Sequence, residues 1–236
     1  MKIEVWSDIM CPFCYIGKQH LEMALEQFIE AEVIDVEWKS FQLDPLIPRH
    51  PDYKNTYQYL AERKGMGYDE ARQMTAGVAQ AGAQAGVTLD FERAIVANSF
   101  NAHRLVHLAQ TKGLGSELKT ALFRAHFTDG QDINDRETLI GLAKAVGLDE
   151  AATVTVLDSD LYADDVAKDI REANDIGVRG VPFFVFNRKY AISGAQPPQA
   201  FLQTLEKSVA EWRTENPKAS LTVTKGPSCG PDGACD

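Results

Sequence analysis

Two cysteines two residues apart, Cys11-Pro12-Phe13-Cys14, stand between an extended run and a helix-like run. No other feature of the 236-residue chain constrains its fold as tightly. The run before them, Lys2-Ile3-Glu4-Val5-Trp6, reads as a strand. The run after them puts Leu21, Leu25, Phe28 and Ile29 on one helical face. The cysteines therefore sit where a first strand hands over to a first helix. The amides of a helix's first turn lack partners, and the macrodipole leaves partial positive charge there. A thiolate at Cys11 gains from both. Pro12 suits the start of the helix because it has no N–H to leave unsatisfied. Cys14, one turn along, is close enough to attack a disulfide at Cys11. The arrangement points to thiol–disulfide exchange.

Two plainer readings compete. A Cys-x-x-Cys can be half of a zinc site, but zinc wants four ligands, usually as two such pairs. The only other cysteines, Cys229 and Cys235, have five residues between them and lie at the far terminus, so no metal is expected. An inert structural disulfide fits an oxidising compartment. Here the N-terminus is already strand-like, with no apolar signal core, and no stretch approaches membrane-spanning length. The expectation is a cytoplasmic protein, where paired cysteines more often catalyse than staple. The net charge of −10, from 24 basic and 34 acidic residues, argues against nucleic acid as a general partner.

The stretch Val33 to Phe41 reads as a second strand, making a β-α-β unit with a parallel pair and a right-handed crossover. Asp44 to Pro51 carries three prolines in seven residues from Pro45 onward and is predicted to be an extended loop. From about Asn55 to about Asp175 no strand is evident. Helices are predicted over 55–64, 68–85, 97–112, 115–127, 135–146, 149–157 and 160–175, with Gly113, Gly130 and Gly147 at or near their ends. Strand character returns at Val181-Pro182-Phe183-Phe184-Val185-Phe186, and Tyr190 to Ser193 pairs back as a hairpin. Pro197-Pro198 opens a last helix with Phe201, Leu202, Leu205, Val209 and Trp212 on its buried face. Asn216-Pro217 stops it. The predicted order is β-α-β, a helical block, then β-β-α.

These motifs in combination resemble the thioredoxin superfamily, and within it the DsbA-like branch and its cytoplasmic FrnE-type group. Ser7-Asp8 with Cys11 to Cys14, Tyr15, Gly17 and Lys18 is similar to that group's opening motif. Asn98 to Leu105 resembles its helical signature, and Gly177 to Val185 with Ser193 to Gln196 its closing one. The resemblance covers about residues 2 to 213. It implies a thioredoxin-like domain over 1–45 and 176–215 and an all-helical insertion over 46–175; residues 216–236, short of apolar side chains, read as a tail. It implies Cys11 as the attacking thiolate and Cys14 as the resolving one. It further implies a cis Pro182 against the cysteines and a Val181 backbone that pairs with a substrate strand by β-augmentation. Phe13 stands where strongly oxidising members carry histidine and offers a thiolate neither charge nor hydrogen bond. Cys11 is therefore expected to be less acidic, and the disulfide less oxidising, than in those relatives.

Other candidates are weaker. The glycines and Pro231 let Cys229 and Cys235 meet, as a second redox pair or as an idle tail. His103 and His107 lie four apart on a helical run, a metal-holding spacing, but no third ligand is evident, so a structural or substrate-facing role is expected. Arg104 or Lys18 could hold a thiolate or be a solvated charge. Asp8 could relay a proton to or from Cys14 or cap the first helix. The sequence thus predicts a protein disulfide oxidoreductase and isomerase that needs no cofactor. Its partners are unfolded or disulfide-bearing proteins, with small thiols such as glutathione admitted. The alternatives are a glutathione-dependent transferase or isomerase of the kappa-class and chromene-carboxylate type, and a non-enzymatic redox-sensing chaperone. In the glutathione branch a serine commonly replaces the first cysteine, so Cys11 and Cys14 together favour the first reading.

Overall fold

The computed structural model describes residues 1–48 and 55–217. Cys229 and Cys235 lie outside them, as does the end of the proline-rich loop. Among the described residues four strands form one mixed sheet in the order β2-β1-β3-β4. Strand β1 (Lys2–Ser7) runs parallel to β2 (Asp35–Ser40) and antiparallel to β3 (Phe183–Phe186), which pairs with β4 (Tyr190–Ser193). Helix α1 (Pro12–Gln27) makes the crossover between β1 and β2, and α9 (Pro198–Glu215) follows β4. Between β2 and β3 the described residues form seven helices: α2 (Thr56–Lys64), α3 (Tyr68–Gln84), α4 (Phe100–Gln110), α5 (Gly115–Phe127), α6 (Arg136–Ala145), α7 (Glu150–Leu157) and α8 (Ala163–Asp175). This is a thioredoxin-like fold carrying a helical insertion.

Alternation along the strands sorts the sheet's two faces. Ile3 and Val5 stand opposite Phe186 and Phe184, all buried, in one core with Leu21 of α1 and Phe201 and Leu205 of α9. Trp6 and Val185 face the other way and pack with Ala173 of α8, where the Trp6 indole N–H donates to the Asp169 carbonyl at 3.0 Å. The outer edge of β2 would present unpaired backbone groups. Helical side chains satisfy them instead. The Gln110 carboxamide accepts from Trp38 N at 2.6 Å and donates to Trp38 O at 3.1 Å, and the Asp169 carboxylate accepts from Ser40 N at 2.8 Å.

Some boundaries differ from the sequence reading. Helix α1 ends at Gln27 because Phe28 turns to extended backbone, and Ile29 falls outside the helix with 93% of its surface exposed. Residues Ala31–Val33 form a short 3-10 turn, so β2 starts at Asp35. Strand β3 starts at Phe183, after a proline that has no N–H for the ladder. The glycine-rich stretch stays helical through Gln84. At Gly82 the missing side chain makes room for Leu89, whose Cδ1 would lie 2.7 Å from an added Cβ.

Candidate active site

Cys11 is the N-cap of α1, with extended backbone, and Pro12 takes the first helical position. Its amide donates to the Asp8 carbonyl at 3.1 Å, and its own carbonyl accepts from Cys14 N at 3.0 Å. Both cysteines are free thiols. Cys11 keeps 4% of its surface exposed and Cys14 1%, which makes Cys11 the sulfur an incoming group meets first. Burial pushes the Cys14 thiol well above its ordinary range, and the adjacent Cys11 sulfur adds to the shift.

Facing the sulfurs is the turn before β3. The Val181–Pro182 peptide bond is cis, and Cys11 Sγ lies 3.5 Å from the Val181 carbonyl oxygen. Phe13, between the cysteines, is 45% exposed and forms an apolar rim.

Beneath the motif lies a layer of buried polar groups. The Asp8 carboxylate accepts from Leu43 N at 2.7 Å, Met10 N at 3.3 Å and His103 Nε2 at 3.4 Å. Burial alone would raise Asp8, but the hydrogen bond and charge of His103 and the Leu43 amide hold it below the ordinary carboxylate range. An anion so held is a poor proton acceptor near neutral pH, which weighs against the relay role for Asp8. Neither does its side chain cap α1, whose N-cap is Cys11. Burial lowers His103, outweighing the opposing pull of Asp8.

The structure separates the remaining sequence candidates. His103 bonds Asp8, whereas His107 Nε2 lies 3.1 Å from both Asp169 and Ser40 Oγ, so the two histidines serve different carboxylates. Arg104 is no solvated charge. It is buried, donating to the carbonyls of Leu161 at 2.8 Å, Val156 and Ser159, and to Asn101 Oδ1 at 3.0 Å. Lys18 is buried as well, paired with Glu22 and 6.0 Å from the centre of the Trp38 ring.

Two buried residues of α5 escaped the sequence reading. Lys119 donates to the Ser7 carbonyl at 3.3 Å, and His126 has a buried Nδ1 without a hydrogen-bond partner among the described residues. A signal existed. Both fall in phase with Leu118, Leu122 and Phe123, the apolar face of α5.

A DSBA-like thioredoxin domain is matched over residues 2–206. The chain belongs to the DSBA-like thioredoxin domain family. A probable DsbA oxidoreductase of Streptomyces coelicolor, SCO1869, superposes with a TM-score of 0.83 at 36% identity, covering 100% of this chain and 98% of that one. The YwbO protein of Bacillus subtilis (strain 168) is 28% identical over 214 residues, 89% of this chain and 96% of YwbO. At the level of fold, the cytosolic disulfide reductase DsbM of Pseudomonas aeruginosa, solved with GSH, matches with a TM-score of 0.62 at 18% identity, covering 89% and 100%. The DsbA family assignment makes the chain a thiol oxidoreductase at the family level. Among the described residues no helix is long and apolar enough to cross a membrane.

Proposed function

We propose that this chain is a thiol–disulfide oxidoreductase and isomerase acting on protein disulfides in the cytoplasm. The observation that carries the reading is the juxtaposition of Cys11, at the head of α1, with the Val181 carbonyl 3.5 Å away and Cys14 buried one turn below. Cys11 attacks a substrate disulfide as thiolate. One substrate sulfur departs and a mixed disulfide remains on Cys11. Cys14 then displaces the second substrate sulfur, and the motif ends as a disulfide. The backbone around Val181 binds the substrate strand by main-chain pairing, which reads little sequence and suits a broad range of chains. The exposed Phe13 supports an apolar substrate contact beside the reacting sulfur.

Two free cysteines at this position favour protein disulfide exchange over the glutathione-dependent transferase reading, in which one bound glutathione supplies the thiol. Glutathione remains in the scheme as the small thiol that recycles the motif. Insulin reduction and reactivation of scrambled ribonuclease test the proposal, each with Cys11→Ser as control. Activity in both that vanishes in the variant is expected. Glutathione conjugation that survives Cys14→Ser, with no insulin reduction by the unmutated chain, would favour the transferase.

A further inference from the structure

Lys119 is a buried cation of the helical insertion with no carboxylate in contact with it among the described residues. Its side chain is fully inside, packed 5.7 Å from the centre of the Trp38 ring and 5.5 Å from that of Phe123. Its hydrogen bond goes to the Ser7 carbonyl at 3.3 Å, and among the described residues no carboxylate oxygen lies within 4.0 Å of its Nζ. Burying an ammonium with no ion pair in contact is costly, and such a group points to a site that uses its charge. Ser7 links it to the motif. The carbonyl of Ser7 takes the ammonium, while its hydroxyl, buried and without another partner among the described residues, favours the Cys14 thiolate.

We propose that Lys119 is a positioning residue for the exchange reaction: the counter-charge, delivered by the insertion, that lets the buried Cys14 ionise and resolve the mixed disulfide. The proposal rests on the reading of Cys11 and Cys14 given above. With Cys11 tied to a substrate sulfur, Cys14 loses its proton to the bulk, and the ammonium of Lys119 stabilises the thiolate left behind. That thiolate forms a bond to Cys11 Sγ. The bond from Cys11 to the substrate sulfur breaks, and its electron pair leaves with the substrate, which takes up a proton. The substrate disulfide is reduced by two electrons and the cysteine pair oxidised by two. The groups whose charge bears on Lys119 are Cys14 of α1, Asp8 and Cys11 of the β1–α1 turn, Asp169 of α8 and His103 of α4. Of the negative or ionisable partners, Cys14 acts on it most strongly. Burial brings Lys119 down to about 8, with these partners opposing the fall. Its charge therefore responds to the state of the motif around neutral pH.

The test follows the two steps separately in the full-length chain carrying Cys229→Ser and Cys235→Ser. One equivalent of an aromatic disulfide, 5,5′-dithiobis(2-nitrobenzoate), releases one coloured thiolate when Cys11 attacks and a second when Cys14 resolves. An opposite charge moves a neighbouring pKa by about 1–3 units. Each unit cuts the thiolate fraction about tenfold while nucleophilicity recovers nearly half of that on a logarithmic scale. Lys119→Met is therefore expected to slow the second release about 3- to 30-fold at neutral pH and to move its pH midpoint upward, with a smaller effect on the first. A second release with unchanged rate and midpoint overturns the proposal. A parent chain that shows no second release overturns the role of Cys14 itself, a different failure. If Lys119→Met does not fold, the unmutated chain decides by NMR titration of the Lys119 side-chain nitrogen. Its midpoint is expected to be lower in the disulfide form, in which neither cysteine can take up negative charge, than in the reduced form. Equal midpoints overturn the proposal.

Discussion

Gly17, on the second turn of α1, lies directly under the Pro182 ring: a Cβ on Gly17 would meet Pro182 Cγ at 2.9 Å and Phe184 Cζ at 3.1 Å. The helix that carries the cysteines and the turn that faces them are in contact through a residue that has no side chain. Gly17→Ala is expected to push the Pro182 turn away from Cys11, because neither a proline ring nor a buried phenylalanine can swing aside cheaply. Overpacking of this kind costs about 1–3 kcal/mol. Urea unfolding reads the stability loss, and insulin turnover by the protein still folded reads the displaced turn. A fully stable, fully active Gly17→Ala would show that the close approach is not required.

The two cysteines should separate cleanly by trapping. Cys14→Ser keeps the more accessible sulfur and removes the one that resolves, so a mixed disulfide on Cys11 is expected to accumulate with a disulfide-bearing protein. Cys11→Ser should trap none through the motif, since Cys14 is almost fully covered and burial holds its thiol protonated. Intact-mass measurement after alkylation, in the background lacking Cys229 and Cys235, distinguishes them. Equal trapping by both variants would contradict the assigned order.

The fold was legible from the sequence because its signals are local. Seven insertion helices came from periodicity and glycine stops, and their boundaries agree with the structure to within a few residues. The buried layer under the motif was not legible. Lys119 and His126 are far from the cysteines along the chain, and a charged residue on a helix normally reads as solvated. Arg104 misled for the same reason. In the sequence it is a cation near a motif. In the structure it is an internal tie, its guanidinium directed at carbonyls from the end of α7 and the turn before α8. Asp8 was recognised as a candidate, but its partners Leu43 and His103 come from other elements, so its role waited for the coordinates.

Arg104 should matter for stability more than for chemistry. Arg104→Met leaves the carbonyls of Val156, Ser159 and Leu161 without this donor. A buried acceptor left unsatisfied costs about 1–3 kcal/mol, so a loss of roughly 3 kcal/mol or more is expected in urea unfolding. Arg104→Lys should fall between, because an ammonium has three donors where the guanidinium has five in a fixed fork. The reaction rate per folded molecule should stay near that of the parent.

Phe13 gives a handle on redox poise. Its ring is half exposed and brings no charge to the motif. Phe13→His adds a group that can donate a hydrogen bond or carry charge beside the thiolate, which stabilises the reduced form. The disulfide should become more oxidising. Equilibration with glutathione measures the change, in which about 30 mV corresponds to a tenfold shift in the equilibrium. A lower potential in Phe13→His would reverse the expected direction.

His126 makes stability fall on the acid side of neutral. Burial takes its pKa from 6.5 down to about 4, with only a weak opposing pull from Asp8. The unfolded chain thus binds this proton more readily than the folded one. The stabilisation is fully present above pH 6.5, is lost as pH falls toward 4, and changes little below that. At about 1.36 kcal/mol per unit, the loss is on the order of 3 kcal/mol. Burial lowers His103 too, so it weakens the fold in the same direction, whereas Asp8, held below its ordinary range, acts only at lower pH. Both remain in a His126→Phe variant, so the difference between variant and parent isolates His126. The phenyl ring also removes the buried nitrogen that lacks a partner among the described residues. Unfolding free energies from urea titrations at pH 7, 5.5 and 4 should fall less steeply in the variant, and parallel curves would show that His126 is not the group responsible.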